Sequence, residues 1–411
     1  MTSMSKKLGT LALFGLVPMV GLGCGDVLSL DVEAPGRITE DALNSEQAIP
    51  GIVAGMSFDL SQSIDGALQD INVADGDTGH GGSYDLGTYP RGILFDTPED
   101  WDGEFGSFQQ ARWVAEDGLR RIATILEPAA FEGNVFVARA YVLAGFANLR
   151  LGEVQCTSTI DGGPEVSNTE HFNRADSLFT RAAAVAAAAG DDDLMQAAHG
   201  GRASVRAWLL DWAGAVAEAQ QVDVGFTYDA IFSLAVGAVS NDFVFETHDR
   251  FEYSVFGSNW EFVTDDARVP WEILRDPAGE IQKGQDGETP FYQQELFQDE
   301  GDDMPLIRGT EMLTLRAEAA LRSGDLPGMT ARLNEARDFY GMDDLAVPAS
   351  VADAWPIMRF ERAATVWLMG KRIYDLRRWK DEGGVVAEPF AADRDTCWDI
   401  SDEERRSNPN L

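Results

Sequence analysis

Cysteine is scarce in this chain: three residues in 411, at Cys24, Cys156 and Cys397. So few exclude a disulfide-stapled scaffold or a cysteine-rich zinc module. Four histidines occur, His80, His171, His199 and His248, and no two stand at the spacing of an HExxH metal site. A GxxxxGK[ST] phosphate loop and a GxSxG nucleophile elbow are both missing. Basic residues are outnumbered, 32 against 69 acidic, for a formal charge of −37. A surface this acidic repels nucleic acid and anionic lipid and favours solubility, while saying little about fold. Past the first two dozen residues there is no uninterrupted apolar run of the length a membrane span needs. Carboxylate pairs for glycoside hydrolysis are uninformative here, because 69 acidic residues offer too many pairs to single one out. No catalytic residue, metal ligand or cofactor is assigned, and the expectation is a protein that is not an enzyme.

What is present begins at residues 1–23. Lys6 and Lys7 precede the apolar LALFGLVPMVGLG, too short to span a bilayer, and the run ends at Cys24. Gly21-Leu22-Gly23 before that cysteine is close to a bacterial lipobox, with the leucine one place late. The reading is an export signal followed by lipidation at Cys24, with palmitate-type acyl chains anchoring a single domain over residues 24–411. An ordinary cleaved signal on a secreted chain is the alternative. With Cys24 acylated and the chain in an oxidising compartment, Cys156 and Cys397 are expected to pair as a disulfide.

Residues 25–100 are rich in glycine and aspartate. Asp41 to Leu68 has room for one or two helices, with Pro50-Gly51 as an interruption, and Asp70 to Pro90 reads as loop. Asp70, Asn72, Asp75 and Asp77 invite comparison with an EF-hand, but the glycine falls at the seventh place and Gly81 at the twelfth, so that site is rejected. The acidic runs at Asp191 to Asp193 and Asp299 to Asp303 read as solvated surface. Tyr84, Tyr89 and Trp101 stand among flexible polar residues, either as a sugar-stacking platform or as anchors of a loop to the core. From Glu104 to about residue 221 the pattern is paired helices, with small residues such as Ala138, Ala144 and Gly145 beside Phe146 and Leu149. That alternation resembles degenerate tetratricopeptide hairpins. Residues 222–305 are irregular again, with Tyr253, Phe256, Trp260 and Trp271 among turn formers, and read as a loop-rich insertion with short strands. Helical pattern resumes over 306–380, before a tail at 381–411.

One stretch organises the rest, IMRFERAATVWLMGKRIYDLRRWK from Ile357 to Lys380. Phe360, Ala364, Trp367 and Leu368 share a helical face, Trp355-Pro356 suits a helix start, and Arg372 and Asp375 can pair one turn apart. At Gly370 the helix breaks or a neighbour packs close. Glu361-Arg362, Gly370, Arg372, Asp375-Leu376 and Arg378-Trp379 resemble the C-terminal signature of the SusD/RagB family, with Thr365 and Met369 where that family usually carries glutamate. Arg308, Glu311, Leu313 and Ala317-Glu318-Ala319 resemble an earlier helix of the family, and Asn334, Arg337 and Gly341 the next. Ile400, Glu404, Asn408-Pro409 and Leu411 resemble its closing segment, with Asp399 in place of a proline.

The resemblance implies a mainly α, SusD-like fold: tetratricopeptide-type hairpins with long irregular loops and minor short strands. It implies a surface lipoprotein of the cell outer membrane, facing outward, that caps a TonB-dependent (SusC-like) transporter. Such a protein delivers oligosaccharide or peptide nutrients. Tyr84, Trp101 and Trp260 are the candidate ligand-binding residues. A helical-repeat adaptor binding only proteins, or a surface glycosidase, are the competing readings.

Overall fold

The computed structural model describes residues 40–84, 86, 88–94, 98–235 and 237–411, with backbone alone at 40, 41 and 98–102. The export signal and Cys24 lie outside these residues. Among the described residues, six helices of two turns or more follow one another through the first half: α1 (Ile49–Ala74), α2 (Pro98–Ile125), α3 (Val135–Val154), α4 (Thr169–Ala189), α5 (Asp192–Trp208) and α6 (Trp212–Ala219). Each of α2 to α6 packs on its predecessor. After the irregular segment come α7 (Gly309–Arg322), α8 (Leu326–Phe339), α9 (Val351–Thr365) and α10 (Arg372–Glu382), with α7 packed against α6, α8 and α9.

Local chemistry sets the helix ends. The side chains of Asn134, Asp191, Asp211, Asp325 and Ser350 each accept an N–H from the first turn of the helix they precede. The acidic run at Asp191 is therefore first of all a helix start. Close packing of α3, α4 and α5 depends on missing side chains. A Cβ at Gly145 or Gly201 would stand 2.5 or 2.3 Å from the ring of Phe179, and one at Gly152 would stand 2.5 Å from Phe172. Among the described residues α3 alone is long and apolar enough to cross a membrane, and it lies buried in this core.

Among the described residues, eight short strands make four antiparallel pairs. They are β1 (Gly79–His80) with β5 (Tyr253–Ser254), β2 (Thr157–Ser158) with β3 (Val166–Ser167), β4 (Thr227–Ala230) with β8 (Met304–Arg308), and β6 (Trp271–Ile273) with β7 (Tyr292–Gln294). All lie in connections between helices, so the mainly α architecture with strand-bearing loops is the one expected.

Several local expectations are corrected. Pro50 does not interrupt a helix; it occupies the first turn of α1, where its missing N–H costs no hydrogen bond. The same helix runs on through Asp70–Ala74, expected as loop, because Ile71, Val73 and Ala74 are buried. Helix α2 begins at Pro98, ahead of Glu104. Helix α9 begins after its Ser350 cap, leaving Pro356 inside it. Phe360 is 40% exposed, whereas Ala364, Trp367 and Leu368 are buried. The helix breaks between Thr365 and Arg372 through Leu368 and Gly370, both with positive φ (59°). Neighbours also pack close there, since a Cβ on Gly370 would lie 3.1 Å from Arg150 and from Leu68.

The signature residues meet in a buried ionic lattice. Arg362, 0% exposed, bonds Asp375 (2.8 Å), Glu311 (3.2 Å) and the Thr314 hydroxyl (3.2 Å). Lys371 reaches Glu311 (2.6 Å), and Arg378 joins Asp375 (2.8 Å) to Glu318 (2.5 Å). Glu361 binds Arg268 (2.6 Å) and Arg337 (2.7 Å). Burial raises the Glu318 carboxyl, but Arg378 and Arg322 outweigh it and hold that group down to about 2. Arg372 and Asp375 do not pair with each other. Arg372 turns to Asp77 (3.2 Å) and Glu388 (2.9 Å), because Asp375 is already taken by Arg362 and Arg378.

Cys156 and Cys397 form a disulfide, with Cα atoms 5.1 Å apart across 241 residues of sequence. It follows α3 and lies beside a bridge between Gln155 and Trp398, where Cys156 N–H donates to the Trp398 carbonyl (2.8 Å) and Trp398 N–H to that of Val154 (2.9 Å). The tail is fixed beyond it: Asn408 donates to the Gly163 carbonyl (2.9 Å) and Thr159 to Glu404 (2.9 Å).

Two measurements check these roles. Arg362→Met leaves Glu311 and Asp375 buried with one fewer cation, and is expected to lower stability in denaturant unfolding by about 3–5 kcal/mol. A loss under about 1 kcal/mol, the scale of an exposed pair, would contradict that. The double variant Cys156→Ser/Cys397→Ser is expected to lose about 2–4 kcal/mol, and non-reducing peptide mapping of the native chain should recover the two cysteine peptides linked.

Candidate ligand-binding surface

The loop-borne strands gather a group of aromatic side chains, with Tyr84 and Phe262 exposed beside them. Pairing of β1 with β5 sets His80 opposite Tyr253. Val255 N–H donates to the Tyr292 carbonyl (2.9 Å), which joins β5 to the β6–β7 hairpin. Tyr84 lies next to this small sheet, 41% exposed, and its hydroxyl is 2.8 Å from that of buried Tyr253. The His80 ring fills the angle between the two, 5.0 Å from Tyr84 and 5.4 Å from Tyr253. Further along, Trp271 and Tyr292 stack in parallel with centroids 5.2 Å apart, and Phe256 meets Tyr292 edge-on at 5.4 Å. The Trp271 indole N–H donates to the Val263 carbonyl (2.8 Å), and Phe262 next to it is 87% exposed.

A charged group underlies Tyr84. Arg250 bridges Glu246 (2.9 Å) and Glu252 (2.5 Å), two carboxylates closed in by the loop. Burial raises the Glu246 carboxyl to about 7, and the neighbouring Glu252 adds to the shift. Burial also raises the Tyr84 hydroxyl, so it stays protonated and able to donate. Held aromatic faces beside hydroxyl, carboxylate and guanidinium groups are the chemistry that grips a sugar: ring CH groups on the aromatic face, hydroxyls on the polar groups.

The three sequence candidates fare differently. Tyr84 belongs to this surface. The side chain of Trp101 lies outside the described residues. Trp260 is 3% exposed and anchors a loop: its indole N–H donates to Asp77 (2.8 Å), and it packs on Trp367, Phe360 and Arg372. Tyr89, 1% exposed, is likewise core. Of the acids considered for calcium, Asp75 and Asp77 are wholly buried, and Asp77 receives Trp260, Arg372 and the Leu368 N–H. Among the described residues no group of three or more His, Cys, Asp or Glu is placed to hold a metal ion. Sequence reasoning missed His80 and the Glu246–Arg250–Glu252 group, for which spacing held no signal. Tyr253, Phe256 and Trp271 were visible only as aromatics among turn formers.

In class, this is a SusD-like fold. The chain superposes on a SusD-like carbohydrate-binding protein from Bacteroides vulgatus with a TM-score of 0.65 and 14% identity, covering 89% of this chain and 97% of that one. A SusD homolog from Bacteroides thetaiotaomicron gives 0.64 and 14%, covering 91% and 98%. A SusD superfamily protein from Bacteroides vulgatus gives 0.61 and 15%, covering 89% and 97%. No curated protein matches the chain. The SusD family model matches residues 281–407, the span that holds α7 to α10 and their ionic lattice, so the chain carries the SusD signature there and the SusD-like fold over most of its length.

Titration of Glu246 gives a check on the charged group. Its carboxyl holds a proton to higher pH in the folded chain than in the unfolded one. Stability drawn from it is therefore present below the ordinary carboxylate pKa and is lost as pH rises through about 7. Relative to Glu246→Gln, the native chain is expected to lose stability over that rise; parallel pH profiles would contradict it.

Proposed function

We propose that this protein is a surface-exposed lipoprotein of the outer membrane, anchored through acyl chains on Cys24. It caps a TonB-dependent transporter and passes nutrients to it, oligosaccharide first among them and peptide second. The observation that carries this reading is the aromatic surface of Tyr84, Tyr292 and Trp271, held on strand-bearing loops of a SusD-like scaffold. Loops held by a rigid scaffold are where binding residues concentrate, and stacking gives a sugar ring affinity without a deep pocket. The role is delivery, so no bond of the ligand changes. A broad helical scaffold leaves one face for the barrel and another for the ligand.

Calorimetry against a panel of bacterial, plant and host glycans is expected to find a ligand whose affinity falls about tenfold or more in Tyr84→Ala. The product should emerge uncleaved, and cleavage would favour a glycosidase. Affinity purification from solubilised outer membranes should recover a TonB-dependent transporter, and mass spectrometry should find Cys24 as an acylated N-terminus. Recovery of the chain alone with an unmodified Cys24 would overturn the reading.

A further inference from the structure

Away from the aromatic surface, β4 borders a cleft of about 730 Å³. The opposite walls are α1, through Val53 and Phe58, and the start of α3, through Phe136 and Arg139. Among the described residues, strand β4 pairs along one edge only, with β8. The Phe226 carbonyl accepts the Gly309 N–H (2.8 Å), and Thr227 stands opposite Arg308 in the next register position. Hydrogen-bonded and non-bonded pairs alternate in an antiparallel ladder, so the Thr227 N–H and C=O point away from β8, on the outer edge. Thr227 itself lines the cleft. The strand is held rigid from behind, where Tyr228 stacks on Phe146 at 5.7 Å and 14°.

An outer strand edge of this kind is a template for another strand. Walls and charges narrow the occupant. Phe58, Ile231 and Val239 give the cleft accessible apolar surface that suits the side chains of an extended peptide. Asp191, Asp193 and Asp229 also line the cleft, three carboxylates to the one guanidinium of Arg139, which makes no ion pair among the described residues. A second copy of this chain, at −37, would be repelled.

We propose that this cleft binds a short extended polypeptide in which apolar and basic residues alternate, added as a third strand to the outer edge of β4. Its backbone bonds Thr227, its apolar side chains enter between Phe58 and Phe136, and its basic side chains meet Asp193 and Asp229. The site is independent of the aromatic surface and can hold or fail without it.

The test uses the full chain and a fluorescein-labelled, C-terminally amidated Lys-Val-Lys-Val-Lys peptide, read by anisotropy. Binding should saturate. It should weaken about tenfold or more when the peptide is N-methylated along one backbone edge, a change that leaves the protein untouched. Thr227→Pro removes the outer N–H at an edge position that tolerates proline and should have a similar effect, with helical circular dichroism unchanged. Asp193→Lys should weaken binding, and Glu-Val-Glu-Val-Glu should not compete. Tyr84→Ala should leave it unaltered. No saturable binding, equal binding of the N-methylated or acidic peptide, or displacement by maltohexaose would each overturn the proposal.

Discussion

The buried ionic lattice beneath α7, α9 and α10 is the constraint on which the rest of the structure depends. Arg362, Asp375, Glu311 and Glu318 are all within 1% of complete burial. A charge so enclosed is strongly unfavourable unless its hydrogen-bonding groups are met. Here the condition is satisfied mutually: Arg362 holds Asp375 and Glu311, Arg378 holds Asp375 and Glu318, and Lys371 returns to Glu311. Such an arrangement tolerates few registers of one helix on another. A shift of α9 by one residue would strand several charges in an apolar interior.

The lattice also reaches the loops. Arg372, one turn before Asp375, leaves the helical core to bind Asp77, and Asp77 receives the Trp260 indole and the Leu368 N–H. Loop segments distant in sequence are thereby fastened to the break between α9 and α10. The disulfide and the Gln155–Trp398 bridge do the same for the tail. Tyr84 and the β6–β7 aromatics thus rest on loops secured from below, which lowers the ordering cost of binding a ligand.

Much of the scaffold was legible in the sequence. Small residues on α3 announced close helix packing, and Gly145 among them admits the ring of Phe179. The Glu361–Trp379 pattern was legible as a family signature. Its physical content was not, because spacing suggested an Arg372–Asp375 pair where the structure divides the two between different partners. Boundaries were less legible: Pro50 and Pro356 were each assigned the wrong place in a helix, since local propensity yields to tertiary burial of the residues around them. Of the ligand candidates, Trp260 is the one whose burial the sequence did not signal, at 3% exposed. An indole among polar residues looks the same in sequence whether its N–H meets solvent or a buried carboxylate such as Asp77.

By itself the sequence determined the helical periodicity, the small-residue faces, the acidic surface and the identity of every charge that would have to be buried. These are properties of residue type and near-neighbour spacing, which act within a turn or two of chain. Only the tertiary structure decided which charge meets which and which aromatics stay exposed. It also decided that Tyr84 comes to Tyr253 across 169 residues and Cys156 to Cys397 across 241. Those choices depend on long-range closure, where distance along the chain carries no information about distance in space, and where burial of one partner is settled only once the other has arrived.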